Sequence, residues 1–109
     1  MKDDKLYLIH IRECIQRIEE YLECGGKEAF MVSNMVQDAI ICNLQLLSES
    51  TMRISDEIQA NHPEVEWWYK IRGFRNVLVH DYLGVDLERV WNIIDNDLPK
   101  LKSAIEKMI

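Results

Sequence analysis

Glycine and proline are scarce, at 4 and 2 in 109 residues. Both build the tight turns of which an all-β sandwich needs six or more, so that class is excluded and long helices are the expectation. Cysteine is sparse and odd in number, with Cys14, Cys24 and Cys42 in no C-x2-C or C-x2-C-H pattern. That excludes a recognisable zinc cage or haem attachment and fits reduced, partly buried thiols of a cytosolic protein. No apolar run approaches the roughly 18 residues of a membrane span. The start, Met1-Lys2-Asp3-Asp4-Lys5, has no hydrophobic signal-peptide core, so a cytoplasmic protein without membrane contact is expected. Basic charge is also short: 13 Lys and Arg face 19 acids for a net charge of −6. As a bulk figure this opposes gripping nucleic acid by electrostatics alone.

What is present is ordinary for a globular domain, 48% hydrophobic and 29% charged, and the length suits one domain over residues 1–109. Leu8, Ile11, Ile15, Ile18 and Leu22 recur in steps of three and four, one face of a first helix. Gly25-Gly26 stops it. Residues 28–60 contain neither Gly nor Pro, so one long helix, or two joined by a slight break, can run there. The stretch Met35–Leu47 is apolar almost all round and needs cover on more than one side, which makes a homodimer plausible. Asn61-His62-Pro63 ends this region, because the residue before proline is pushed out of helical geometry. Trp67, Ile71, Phe74 and Leu78 mark the next helix, Gly84 closes it, and Asp86 is placed to cap the one after. Leu87, Trp91, Ile94, Leu98, Leu101, Ile105 and Met108 keep one phase past Pro99, which predicts a last helix kinked there rather than broken. The fold class is all-α, an up-and-down bundle of four to five helices.

The negative charge is unevenly spread. Residues 67–80 hold Lys70, Arg72 and Arg75 and no acid, so this segment carries +3 and the rest −9. At 100° per residue, Trp68, Arg72, Arg75, Val79 and Tyr82 share a stripe beside the core face. Arginine interleaved with aromatics suits phosphate and base contacts. The same pattern also fits edge-of-core aromatics with arginines paired to acids of neighbouring helices.

Residues 72–82 read Arg-Gly-Phe-Arg-Asn-Val-Leu-Val-His-Asp-Tyr. They resemble the HepT-like ribonuclease toxins of the HEPN superfamily, whose Arg-x4-His-x-Tyr signature is matched by Arg75, His80 and Tyr82, with a polar Asn76 after the arginine. Trp67, Gly84-Val85-Asp86-Leu87, Val90-Trp91, Asn96-Asp97-Leu98-Pro99 and Asp38–Leu44 through Glu49 resemble the family too, so the likeness spans most of the chain. Cys42 stands where many relatives have Arg, and Ser48 and Ser50 flank Glu49 where Gly and Ala are usual.

The resemblance implies the toxin of a type VII toxin-antitoxin system, a metal-independent endoribonuclease that leaves a 2′,3′-cyclic phosphate, with no cofactor. Such a cut needs proton transfer at the 2′-hydroxyl and the leaving oxygen, and positive charge on the phosphorane. An unperturbed histidine has its pKa near neutrality, which suits His80 to the first task. Arg75 offers bidentate donors for the second, with Arg72, Asn76 and Lys70 as supporting RNA contacts. On a regular helix Arg75 and His80 stand about 140° apart, whereas Arg75 and Tyr82 differ by only about 20°. Either the helix unwinds before His80, or a second chain completes the pair. The resemblance implies a symmetric homodimer with both motifs lining one cleft. It also implies a partner, a minimal nucleotidyltransferase antitoxin that transfers AMP to Tyr82 and so places negative phosphate where the RNA must sit. Two alternatives remain: a non-catalytic HEPN adaptor that binds nucleotide or presents substrate to a nucleotidyltransferase, and a purely structural dimeric bundle.

Overall fold

A computed structural model describes residues 2–79 and 86–109, and among them every regular element is helical. Helix α1, Lys2–Leu22, turns Leu8, Ile11, Cys14, Ile15 and Ile18 inward, and Leu22 is half-buried. Gly25 and Gly26 then reverse the chain at φ 124° and 54°, values that favour glycine. At Gly25 a Cβ would also lie 2.8 Å from that of Ala29.

The glycine-free and proline-free region after this turn is divided more finely than one break predicts. Helix α2, Gly26–Val32, ends at Ser33, whose N–H donates to the Ala29 carbonyl while its Oγ accepts from Val36 N–H. One serine therefore closes α2 and opens α3, Asn34–Met52. Gln37 secures the junction, its Nε2 donating to the carbonyls of Phe30 and Met31 at 2.9 and 3.2 Å. A second serine divides the region again. Ser55 caps α4, Asp56–Asn61, by accepting from Ile58 N–H, and is itself fixed by Asp4. The Asp4 carboxylate accepts from Ser55 N–H at 2.8 Å and from Ser55 Oγ at 2.7 Å. With His10 also meeting Ser50, α1 and α3 run antiparallel.

Helix α5, Trp67–Val79, buries Trp67, Ile71, Phe74 and Leu78 against the bundle. The Trp67 indole N–H donates to Thr51 Oγ1 at 2.9 Å, joining α5 to α3. The last helical region begins at α6, Leu87–Asn92, capped by Asp86, which accepts from Glu88 N–H and Arg89 N–H. It passes through a π-helical turn, Ile93–Asp97, into α7, Leu98–Met108. The irregularity expected at Pro99 thus takes the form of a wider turn just before it, closed by Leu98 N–H donating to the Ile93 carbonyl. The core phase survives, with Ile94, Leu98, Leu101 and Ile105 all buried. The architecture is an all-α bundle of α1, α3, α5 and the 87–108 region, with α2 and α4 as short connectors. No helix among the described residues is long and apolar enough to cross a membrane.

Of the all-round apolar face of α3, Ile40, Leu44 and Leu47 are covered by this bundle. Met35 and Leu46 are 79% and 41% exposed, and Cys42 is exposed with them.

Candidate active site

Helix α5 sends its three basic side chains toward three different surroundings. Arg75 faces α3 across a cleft of about 390 Å³, lined also by Cys42, Gln45, Leu46, Ser48, Glu49 and Leu78. Its Nη2 lies 3.1 Å from Glu49 Oε1, with both side chains partly in solvent. Arg72 borders a polar depression of about 370 Å³ shared with Thr51, Asp56 and Gln59. Lys70 lies on the opposite flank, bridging Asp97 at 2.9 Å and Glu66 at 3.3 Å. Its hydrogen bonds to Asp97 and Glu66 raise its pKa, so it stays charged. Asn76 is exposed between these flanks.

The fold therefore brings Arg72, Asn76 and Arg75 along adjacent positions of one surface and turns Lys70 away from them. It also places one of the two aromatics of the stripe. Trp68 is only 8% exposed and its indole N–H donates to the His62 carbonyl at 3.0 Å, so it is an edge-of-core residue and not a stacking platform. The open aromatic on α5 is Tyr69, 71% exposed. His80 and Tyr82, like Gly84 and Val85, lie outside the described residues.

Glu49 is the residue a reading of residues 67–82 misses. It is 26 positions from Arg75 in sequence and meets it only because α3 and α5 cross here. The surrounding run Asp38–Glu49 carried the family likeness, which was the available signal. Cys42 lines the same cleft.

A second polar set lies on the other side of α3. His10 Nδ1 meets Ser50 Oγ, and His10 Nε2 lies 3.8 Å from Cys14 Sγ. Cys14 is fully enclosed, and burial pushes its thiol pKa up, so it behaves as a packed apolar group. Ser50 is also buried, which leaves this set joining α1 to α3 rather than facing a substrate.

Comparison with known proteins adds a family match and several relatives. The family described as Ribonuclease HepT-like matches residues 11–108. A probable ribonuclease HepT of Thermococcus cleftensis is 34% identical over 107 residues, covering 98% of this chain and 96% of its own. A Methanocaldococcus jannaschii protein named gamma-glutamylcyclotransferase and putative RNase is 34% identical over 108 residues; the chain spans 99% of itself but 48% of that relative. An mRNA nuclease HepT of Shewanella oneidensis is 24% identical over 119 residues, with 88% of each chain covered. No solved structure matches.

Proposed function

The chain belongs to the HepT-like ribonuclease family, and from that premise we propose that it is a metal-independent endoribonuclease whose catalytic residues are Arg75 and His80. The observation that carries this reading is the placement of Arg75, a guanidinium at the mouth of the α3–α5 cleft, held by the Glu49 carboxylate at 3.1 Å. A phosphate arriving there exchanges one anionic partner for another, with the fork geometry that guanidinium offers. His80 takes the proton from the ribose 2′-hydroxyl as its oxygen attacks phosphorus. The bond to the 5′-oxygen of the next nucleotide breaks, that oxygen is protonated, and a 2′,3′-cyclic phosphate remains. Arg75 stabilises the charge on the phosphorane.

The working unit in this reading is a homodimer in the cytoplasm. Leu46, uncovered in the Arg75 cleft, and Met35, uncovered in the first turn of α3, support it, since pairing along α3 would cover both and bring two basic helices together. Regulation follows the type VII toxin-antitoxin scheme: a minimal nucleotidyltransferase adds AMP to Tyr82, and the added phosphate competes with RNA for the arginines.

The test is cleavage of total RNA by the purified protein and by His80→Ala. The variant is expected to lose cleavage while keeping its oligomeric state and helix content. Unchanged cleavage by the variant would sink the assignment of His80, and no cleavage by wild type would favour the adaptor reading. Protein co-expressed with its nucleotidyltransferase is expected to gain adenylate-sized mass on Tyr82.

A further inference from the structure

Glycine is a poorer helix former than any residue but proline, yet Gly73 sits in the middle of α5. None of the described residues requires it there, because a Cβ built on Gly73 meets none of their atoms within 4 Å. The space above it belongs to a groove of about 580 Å³ between α5 and the π-helical turn. π-turns frequently accompany functional sites. A volume of this size is in the range of pockets for small organic groups.

The chemistry of the groove narrows the occupant. Phe74 and Val77 give it an apolar floor, and Tyr69 stands open at its edge with its hydroxyl donating to the Pro63 carbonyl at 3.2 Å. Its charges cancel, Lys70 and Arg89 against Glu88 and Asp97, and Lys70 is already bound to Asp97. Such a lining does not attract phosphate. It suits a flat, neutral, polar-edged group that can lie on exposed backbone and stack on a tyrosine. Asn92 adds an edge-reading donor: its Oδ1 accepts from Asn96, and its Nδ2 has no hydrogen-bond partner among the described residues.

The route to Arg75 is continuous. Around α5, successive steps of 100° place Arg75, Arg72, Asn76, Tyr69, Gly73 and Val77 in that angular order over roughly half the circumference. A strand whose phosphate sits at Arg75 crosses the helix over Arg72 and Asn76 and reaches the groove along an arc of roughly 16–19 Å, half the circumference of a helix about 10–12 Å across, a span of about three nucleotides. We infer that the groove over Gly73 is a nucleobase subsite for single-stranded RNA, holding the base of a nucleotide close to the cut. The inference rests on the ribonuclease reading above and deepens it.

The test measures binding of a short 2′-O-methyl RNA, which lacks the attacking hydroxyl, and of an abasic oligomer with the same number of phosphates. Wild type is expected to prefer the base-bearing oligomer by about tenfold. Gly73→Leu, which fills the groove with a better helix former, should bind both oligomers equally at the wild-type abasic level, with its melting temperature and oligomeric state retained. Should that variant fail to fold, Tyr69→Ala must show the same selective loss. Arg75→Ala should weaken both oligomers alike. Equal binding of the two oligomers by wild type overturns the base subsite and leaves the phosphate site standing. A Gly73→Leu protein that loses its oligomeric state and both affinities marks the groove as a protein interface, and overturns it too. No binding of either oligomer by wild type overturns the ribonuclease reading itself.

Discussion

Arg75 and Glu49 are held together across the α3–α5 crossing, Nη2 to Oε1 at 3.1 Å, and their charges cancel at the mouth of the cleft. The local excess of +3 on residues 67–80 is therefore partly neutralised in the free protein: Glu49 answers Arg75, and Asp97 and Glu66 answer Lys70. In the ribonuclease reading, RNA binding at Arg75 has to displace a carboxylate that is already there. Glu49→Gln removes that competitor while keeping an amide oxygen as acceptor. It is expected to tighten binding of an uncleavable RNA about two- to fivefold at 0.1 M salt, the size of an exposed charge interaction. Thermal unfolding should show a stability change within about 1 kcal/mol, because the pair is solvent-exposed. Weaker RNA binding by this variant would mean that Glu49 orients the arginine instead of competing for it.

Salt dependence separates Arg75 from its neighbours. Each cation that contacts a phosphate of single-stranded RNA contributes about 0.7 to the slope of log affinity against log salt. Arg75→Ala is expected to lower that slope by about 0.7 per chain, and Arg72→Ala to do the same if the strand crosses α5 there. Lys70→Ala should leave the slope unchanged, since Lys70 is turned toward Asp97 and Glu66. Fluorescence anisotropy from 0.05 to 0.3 M salt on an uncleavable oligomer is the measurement; the concentrations here are about those over which counterion release is readily seen.

The difference between Arg75 and Lys70 marks the boundary of what could be read from sequence. Apolar spacing alone identified the inward faces, and Leu8, Ile11, Ile15 and Ile18, then Trp67, Ile71, Phe74 and Leu78, are all buried. Burial follows from period, and period is local. The Asp86 cap was legible for the same reason. The breaks at Ser33 and Ser55 were not, because a serine ends a helix only when its hydroxyl finds a free N–H, and Ser55 also depends on Asp4 at the far end of the chain. Glu66, four residues before Lys70, is a local partner, but the other partners of the basic residues are likewise long-range. Nothing near Lys70 announces Asp97, and nothing near Trp68 announces the His62 carbonyl that takes its indole N–H. A helical wheel places residues on a face without saying what stands opposite.

Asp4 gives the fold a defined acid sensitivity. Burial raises its pKa, the hydrogen bonds from Ser55 N–H and Ser55 Oγ act in the other direction, and on balance the carboxyl titrates below its ordinary value. A carboxyl depressed in the folded state stabilises above its unfolded pKa, about 4, and that contribution is lost as pH falls through the lower folded value. Asp4→Asn is expected to cost about 1–3 kcal/mol at pH 7, the range for hydrogen bonds to a charged group with a buried partner left unsatisfied. It should also flatten the decline in stability below about pH 4. Urea unfolding at neutral pH and along an acid series checks both. Parallel pH curves for variant and wild type would remove Asp4 from the account.

Thr51 holds α5 in place from beneath. Its Oγ1 accepts from the Trp67 indole N–H at 2.9 Å and donates to the Leu47 carbonyl at 2.8 Å, so one buried hydroxyl joins the start of α5 to the last turns of α3. Thr51→Val keeps shape and volume but leaves the indole N–H facing a methyl group. The expected cost is about 1–3 kcal/mol, the penalty for a buried donor without a partner. Thr51→Ser keeps the hydroxyl and should recover most of that loss despite missing a methyl. The pair matters for function because Trp67 and Arg75 share α5, and the indole bond fixes how that helix lies across α3. In the ribonuclease reading, cleavage by Thr51→Val should therefore fall more than the folded fraction does, with Thr51→Ser near wild type. Assaying both variants well below their melting temperatures separates the two effects: a fall in cleavage that tracks only the folded fraction would make Thr51 a stability residue with no hold on the cleft.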